Sequence, residues 1–308
     1  MNSAQKRFRN LRFLGGRSFS SDKKPAASRA SAPEASPRTS VGNAQPTTSD
    51  EPPANGAEKI AAFFDLDGTL LPSPSLEWRF AAYLLSRDEI SDSNLARWLI
   101  HCMKSFLRPP WGISRANKSY LAGLRTSLID EWERSVEPSS LAPAPLPMFS
   151  ACAGRIRWHL AQQHSVAFVT GTLEPLARVA ARQLGPEAAA RIEICATQLE
   201  SLGGQWTGSL SGDHICGDAK ARAIRALALE RRFDLSRSFA YGDEISDVPM
   251  LEAVGHATAV NPSSRLERAA HLRGWRVCEW RKLESSAPLA AIRACASRPS
   301  ILAGRATL

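Results

Sequence analysis

The sequence predicts an α/β protein: a doubly wound, mainly parallel sheet with a helical block inserted between its first two strands. Three observations carry this reading. Short apolar runs alternate with helix-periodic segments along most of the chain. From Leu76 to about Ser135 the spacing is helical only, with no convincing strand. Residues 1–57 stand apart: "KKPAASRASAPEASPRTS" cannot bury enough apolar surface to offset its ordering entropy, so a disordered tail is expected.

The elements follow in order. "IAAFF" is short, apolar and followed by turn chemistry at Asp67-Gly68, which predicts a buried strand. "SLEWRFAAYLLSRDEI", "SNLARWLIHCMKSFLR" and "NKSYLAGLRTSLIDEWERS" repeat apolar residues at three and four, as amphipathic helices do. Their indoles, Trp78, Trp98, Trp111 and Trp132, are expected to pack between helices. After the Pro-rich "LAPAPLP" come a helix near Phe149 to His164 and the second strand, "SVAFVTG". "TLEPLARVAARQLG" reads as a helix with Thr172 as N-cap, Pro175 in the first turn and Gly185 at its end. "RIEICA" is a third strand, "QWTGSL" a strand of a hairpin-like excursion, and "DAKARAIRALALERR" a helix. "SFAYGD", "HATAV" and "WRVCEW" complete six core strands.

Composition sets limits. Apolar residues make up 44% of 308, enough for one large core or a core with a smaller module. No uninterrupted apolar run reaches the roughly 20 residues of a membrane span; the nearest approach, Leu95 to Leu107, is broken by Arg97, His101 and Lys104. The net charge is +9, but residues 1–57 hold nine Lys/Arg against four Asp/Glu, so +5 belongs to the tail and +4 to the rest. No specific nucleic-acid partner is expected from that distribution. Six scattered cysteines form no CxxC pair and follow no apolar signal core, so free thiols in a reducing compartment are expected. His214 and Cys216 lack a second ligand pair, so no zinc site is expected. The first twenty residues carry Arg, no acid, and the apolar Phe8, Leu11, Phe13 and Leu14, and resemble an organelle transit peptide. The reading kept is a solvated extension of a cytoplasmic protein.

In a sheet of this kind ligands gather at the carboxyl ends of the strands. The first strand ends in Asp65 and Asp67, the second in Thr170, Gly171 and Thr172, the fourth in Gly242 and Asp243 with Asp247 four further on. Lys220 stands at the start of the helix between them. Carboxylates so crowded repel unless a cation holds them, and a hard divalent ion with oxygen ligands removes that cost. Asp65 and Asp243 can supply carboxylate oxygens and Asp67 a backbone carbonyl, which frees the Asp67 side chain for proton transfer. Each residue alone has a duller reading: turn former, strand residue, solvated lysine, or, for Asp247, the cap of a helix beginning near Val248.

Taken together, "DLDGTL", "FVTGT", Lys220 and "YGDEISD" resemble, in order and spacing, the four motifs of the haloacid dehalogenase superfamily. "TLEPLARVAARQLG", "GDEISDVPML" and "AVNPSSRLERAAHLRGW" further resemble its helical-cap branch IB, related to phosphoserine phosphatase. The resemblance covers about Ile60 to Trp280. It implies a Rossmann-like catalytic core of residues 58–75 and 151–285, an all-α cap of residues 76–150, and a C-terminal extension of residues 286–308. It also implies Mg²⁺-dependent hydrolysis of a small phosphorylated metabolite. In that scheme Asp65 is the nucleophile, Asp67 the acid and base, and Thr170, Gly171 and Lys220 hold the phosphoryl group. Asp65, Asp67 and Asp243 hold the metal, with Asp247 behind them holding Lys220 or a metal-bound water. The presence of Asp67 favours phosphate over carbon–halogen chemistry.

Substrate choice is carried mainly by the cap. The phosphoserine phosphatases place a glutamate about nine residues after the nucleophile, where this chain has Pro74. Glu77 is displaced by nearly one helical turn, and Glu77 and Arg79 are expected to lie exposed on an amphipathic helix. The competing expectation is a non-catalytic scaffold of the same fold, anchored by its basic tail.

Overall fold

The computed structural model describes residues 59–106, 116–136 and 146–281. The tail, Trp111, Cys295 and the C-terminal extension lie outside them. Six strands form one parallel sheet: β1 (Ala61–Phe64), β2 (Ser165–Leu173), β3 (Ile192–Thr197), β6 (Phe239–Gly242), β7 (His256–Val260) and β8 (Arg276–Cys278). Their spatial order is β3-β2-β1-β6-β7-β8. The chain therefore runs outward from β1 to one edge, returns to β6 beside β1, and runs to the other edge. This places the topological switch point between β1 and β6, where such sheets open a crevice at their carboxyl ends.

The strands alternate as a doubly covered sheet requires. Ala62 and Phe64 of β1, with Val166 and Phe168 of β2, face one buried layer; Ala61, Phe63, Ala167 and Val169 face the other. The first layer is covered by α4 (Ser150–Ala161) and α5 (Glu174–Arg182), with the one-turn α6 (Pro186–Ala189) beside it, and the second by α7 (Asp218–Arg231), α8 (Val248–Glu252) and α9 (Ser264–Arg273). Beneath the switch point Phe64 stacks on Tyr241 at 4.4 Å, tying β1 to β6 just before their acids. The Tyr241 hydroxyl lies 2.9 Å from Nε2 of the fully buried His159. Burial, reinforced by His164 and Arg155, pushes the His159 pKa down to about 3, which keeps that ring neutral within the apolar layer.

Between β1 and β2 lie α1 (Leu76–Ser86), α2 (Asp92–Phe106), a short 3₁₀ turn at Ser119–Leu121 and α3 (Leu128–Val136). Ser75 caps α1 by accepting the Trp78 amide, and Leu76, Phe80 and Leu84 form its buried stripe. The hairpin of β4 (Leu199–Leu202) and β5 (Gln205–Leu210) belongs by sequence to the core but joins this helical segment. The Gly123 and Thr126 amides donate to Trp206 and Gly204 carbonyls, and the Trp206 amide returns a bond to Leu124. Phe80 meets Trp132 at 5.5 Å and Trp206 at 6.2 Å, edge to face. The described residues of the insert are thus mainly helical and are completed by a β-hairpin from elsewhere in the chain. Its apolar stripes leave a gap that Trp206, 4% exposed, fills.

Phe80 is the common contact of α1, α3 and the hairpin. Phe80→Ala is expected to cost about 3–5 kcal/mol in urea denaturation; a cost under about 1 kcal/mol would show that the three elements do not share one core.

Candidate active site

Asp65 is the first residue past β1, and its amide donates to the Tyr241 carbonyl at 3.0 Å. Asp243 is the first residue past β6. Ligand oxygens of Asp65, Asp243 and Asp247 all lie within 4.8 Å of one another. Into this group reaches Lys220, from the first turn of α7, 3% exposed. Its Nζ donates to Asp65 Oδ1 and to Asp247 Oδ1, each at 2.6 Å. Asp247 Oδ2 accepts the Asp243 amide at 3.1 Å and the Glu244 amide at 3.0 Å. The Asp247 side chain does not cap α8; it ties Lys220 to the turn that carries Asp243.

Three carboxylates against one ammonium leave a buried excess of negative charge. Burial, with Asp247 and Asp67 adding to it and Lys220 opposing, pushes the Asp65 pKa up to about 7. Burial, then Asp65 and Asp247, push Asp243 up to about 9. Burial alone would lower the Lys220 pKa, but Asp247 and Asp65 outweigh it and hold the group above its usual value. An all-oxygen donor set with unbalanced negative charge fits a hard divalent cation.

Two glycines make the crowding possible. Gly68 has φ +88°, and a Cβ there would lie 1.9 Å from Asp243 Oδ2. A Cβ on Gly242 would lie 2.6 Å from the Asp247 Cβ. Any larger residue at either position would push an acid out of the cluster.

Asp67 points to a different set of partners. Its Oδ1 accepts the Leu76 amide and its Oδ2 the Thr172 hydroxyl, both at 2.7 Å. The expectation that Thr172 caps the next helix is therefore overturned. Strand β2 runs through Leu173, its pairing with β3 shifts between Thr170 and Leu173, and Leu173 takes the cap position. The Thr172 hydroxyl is engaged with the acid instead. Pro175 does sit in the first turn of α5. Thr170, 1% exposed, accepts the Thr172 amide on Oγ1 at 3.2 Å, so its own proton is free to be donated. Gly171 lies against His214; a Cβ there would meet the ring at 3.0 Å.

Glu77 and Arg79 are not the solvated pair the helical pattern predicts. Glu77 receives Lys118 Nζ at 2.6 Å and the Tyr120 hydroxyl at 3.1 Å, and Lys118 is only 2% exposed. Arg79 donates to the Pro72 and Pro74 carbonyls, closing the turn into α1. No local pattern pairs Glu77 with a lysine 41 residues away; only the fold of the insert brings them together. Thr172 stands at the strand end beside Thr170 and Gly171, but ahead of Leu173-Glu174-Pro175 the same hydroxyl reads as a helix cap, and its partner Asp67 is 105 residues away.

A family model described as haloacid dehalogenase-like hydrolase matches residues 62–252. The chain belongs to that family. Among curated proteins, this hydrolase is 34% identical to a probable phosphatase of Mycobacterium tuberculosis over 71% of this chain and 75% of the relative. It is 32% identical to a phosphoserine phosphatase of the same organism, over 72% and 71%. Among solved structures it is similar to a Bordetella pertussis protein of unknown function, with 26% identity and a TM-score of 0.58 over 73% of this chain and all of that one. A probable phosphoserine phosphatase from Vibrio cholerae shares the fold at 16% identity, TM-score 0.52, over 78% and 67%. The hydrolase is of the phosphatase type.

The charge imbalance makes stability depend on pH when no dication is bound. A carboxyl whose pKa is raised by folding holds its proton more tightly folded than unfolded. The associated stability is present below the usual 3.8 and is lost as pH rises through about 9 for Asp243. Melting curves in chelator should therefore fall by roughly 2–4 °C or more between about pH 6 and about pH 9, and Asp243→Asn should flatten that slope. Equal slopes for the two proteins would show that Asp243 is not the group concerned.

Proposed function

We propose that this phosphatase is a Mg²⁺-dependent phosphomonoester hydrolase that passes a phosphoryl group through Asp65. The observation that carries this reading is the cluster of Asp65, Asp243 and Asp247 around Lys220 at the switch point, with Asp67 two residues from Asp65 and held apart from the cluster. Asp65 and Asp243, with the Asp67 carbonyl, would hold the metal, which offsets the repulsion between carboxylate and phosphate and polarises the phosphoryl group.

The remaining roles fall to the protein's own groups. Lys220 occupies Asp65 Oδ1, which leaves Oδ2 as the attacking atom. As the Asp65 O–P bond forms, the P–O bond to the leaving alcohol breaks, and Asp67 gives the alkoxide its proton. A water then attacks the aspartyl phosphate, Asp67 takes its proton, and the Asp65 O–P bond breaks to release inorganic phosphate. The Leu76 amide and the Thr172 hydroxyl keep both Asp67 oxygens oriented through the two steps. Thr170 and the Gly171 amide donate to the phosphoryl oxygens, and the N-terminus of α5 adds a favourable dipole. Asp247 keeps Lys220 in position.

Phosphate release under Mg²⁺ tests the scheme. Asp65→Asn should lower kcat by about 10³-fold or more, and chelation should abolish turnover until Mg²⁺ is restored. Full activity of Asp65→Asn would remove the assigned nucleophile. Thr172→Val should lower kcat about tenfold with KM little changed.

The substrate is proposed to be small, phosphoserine or another metabolite monoester, with the helical insert of residues 76–150 as its cap. A relative named phosphoserine phosphatase supports the first choice. The matched charge of Glu77 and Lys118 bears on it, because an amino-acid substrate would have to share that pair. A phosphomonoester panel scored by kcat/KM decides the matter. Phosphoserine should lose about tenfold or more on Glu77→Gln if the pair recognises it, and nothing if it does not.

A further inference from the structure

Helix α2 carries a surface that the catalytic scheme does not use. Its inward face is complete. The Asn94 side chain donates to the Tyr120 and Ala122 carbonyls at 2.9 and 2.8 Å, and Asn117 donates to the Trp98 carbonyl at 3.1 Å. Asn94 and Cys102 are buried, with Leu95 and Trp98 half-buried beside them. The opposite face is apolar and open. Leu99 is 50% exposed, Ile100 53% and Met103 61%. At helical spacing these three and the exposed Ala96 form one contiguous stripe. Beside the stripe stand Arg97, His101 and Lys104, all exposed. The only acid of α2 is Asp92, in its first turn.

We propose that this face docks the protein on an anionic lipid surface, with Leu99, Ile100 and Met103 at the headgroup–acyl boundary and Arg97 and Lys104 on lipid phosphates. Charge complementarity selects this occupant. A second copy seated on the stripe would set basic flank near basic flank, with no acid beyond Asp92 on either helix to pair with them. An anionic bilayer matches the flank and takes the apolar stripe as well. Among the described residues no helix is long and apolar enough to cross a membrane, and the attachment proposed for this face is peripheral. The long stems of Arg97 and Lys104 suit that depth, because they keep their heads in the headgroup layer while their methylenes lie on apolar surface.

Flotation of the full-length protein tests this with vesicles of phosphatidylcholine alone and of phosphatidylcholine with about one third phosphatidylglycerol. The protein is expected with the anionic vesicles only, and to be released when salt is raised to about 0.5 M. A variant carrying Leu99→Gln, Ile100→Gln and Met103→Gln should bind about tenfold less or weaker still, with unchanged melting temperature and turnover. Arg97→Gln with Lys104→Gln should weaken binding in the same direction. Equal recovery of native and variant proteins would overturn the proposal, and so would no recovery of the native protein. A doubled mass in light scattering that the apolar variant abolishes would assign the stripe to a second copy instead. A marked fall in melting temperature of the apolar variant would mean that the chain itself covers the face.

Discussion

Three carboxylates share a buried space that contains one ammonium group. Lys220 makes short bonds to Asp65 and Asp247. Asp243 is left at the end of its strand, where burial and the like charges of Asp65 and Asp247 raise its pKa. A group of acids of this kind is unfavourable for folding unless something else holds it together. Here the backbone does so. The sheet sets Asp65 and Asp243 side by side, because β1 and β6 are neighbours in register: Phe64 pairs with Tyr241, one residue before Asp65 and two before Asp243. The parallel pairing of two apolar strands, with rings stacked beneath, bears the repulsion of the acids at their ends.

Much of this was legible in the residues because each acid interrupts or closes an apolar strand. An aspartate after "IAAFF" or "SFAYG" has no packing reason to be there, so Asp65, Asp243 and the parallel sheet beneath them followed directly. The six expected core strands form one sheet, and helices cover both of its faces as the alternation required. What the local pattern could not separate was two uses of the same residue type. Asp247 before Val248-Pro249 and Thr172 before Leu173-Glu174-Pro175 both look like helix caps. The structure uses both for site contacts, because a lysine and a second acid reach them from segments 27 and 105 residues away. Periodicity describes one segment at a time, and these partners lie on others.

The same limit explains the insert. Leu76, Phe80 and Leu84 mark a buried stripe that any helix wheel finds. What fills the space opposite is Trp206, on a hairpin that follows β3 and is therefore distant in sequence. Glu77 shows the converse. Its place beside a buried stripe reads as solvent-facing, yet Lys118 and Tyr120 close over it. A charged residue at the margin of a stripe can go either way, and the choice is made by the neighbouring element, not by the helix that carries it.

These contacts tie the insert to the chemistry through one residue. The amide of Leu76, the first residue of α1, is a hydrogen-bond donor to Asp67, and the Thr172 hydroxyl on β2 is the other. One tether belongs to the sheet and the other to the helical segment. Arg79 stiffens the connection, since its guanidinium grips the Pro72 and Pro74 carbonyls of the turn between Asp67 and α1. If α1 moved away by more than a hydrogen-bond length, Asp67 would keep Thr172 and lose Leu76, and its carboxyl group would be free to rotate about the remaining contact. A proton donor must hold its direction toward the leaving oxygen to be of use. In the proposed scheme the position of the insert is therefore part of the geometry of the acid, because the Leu76 amide at the start of α1 is one of the two tethers of Asp67.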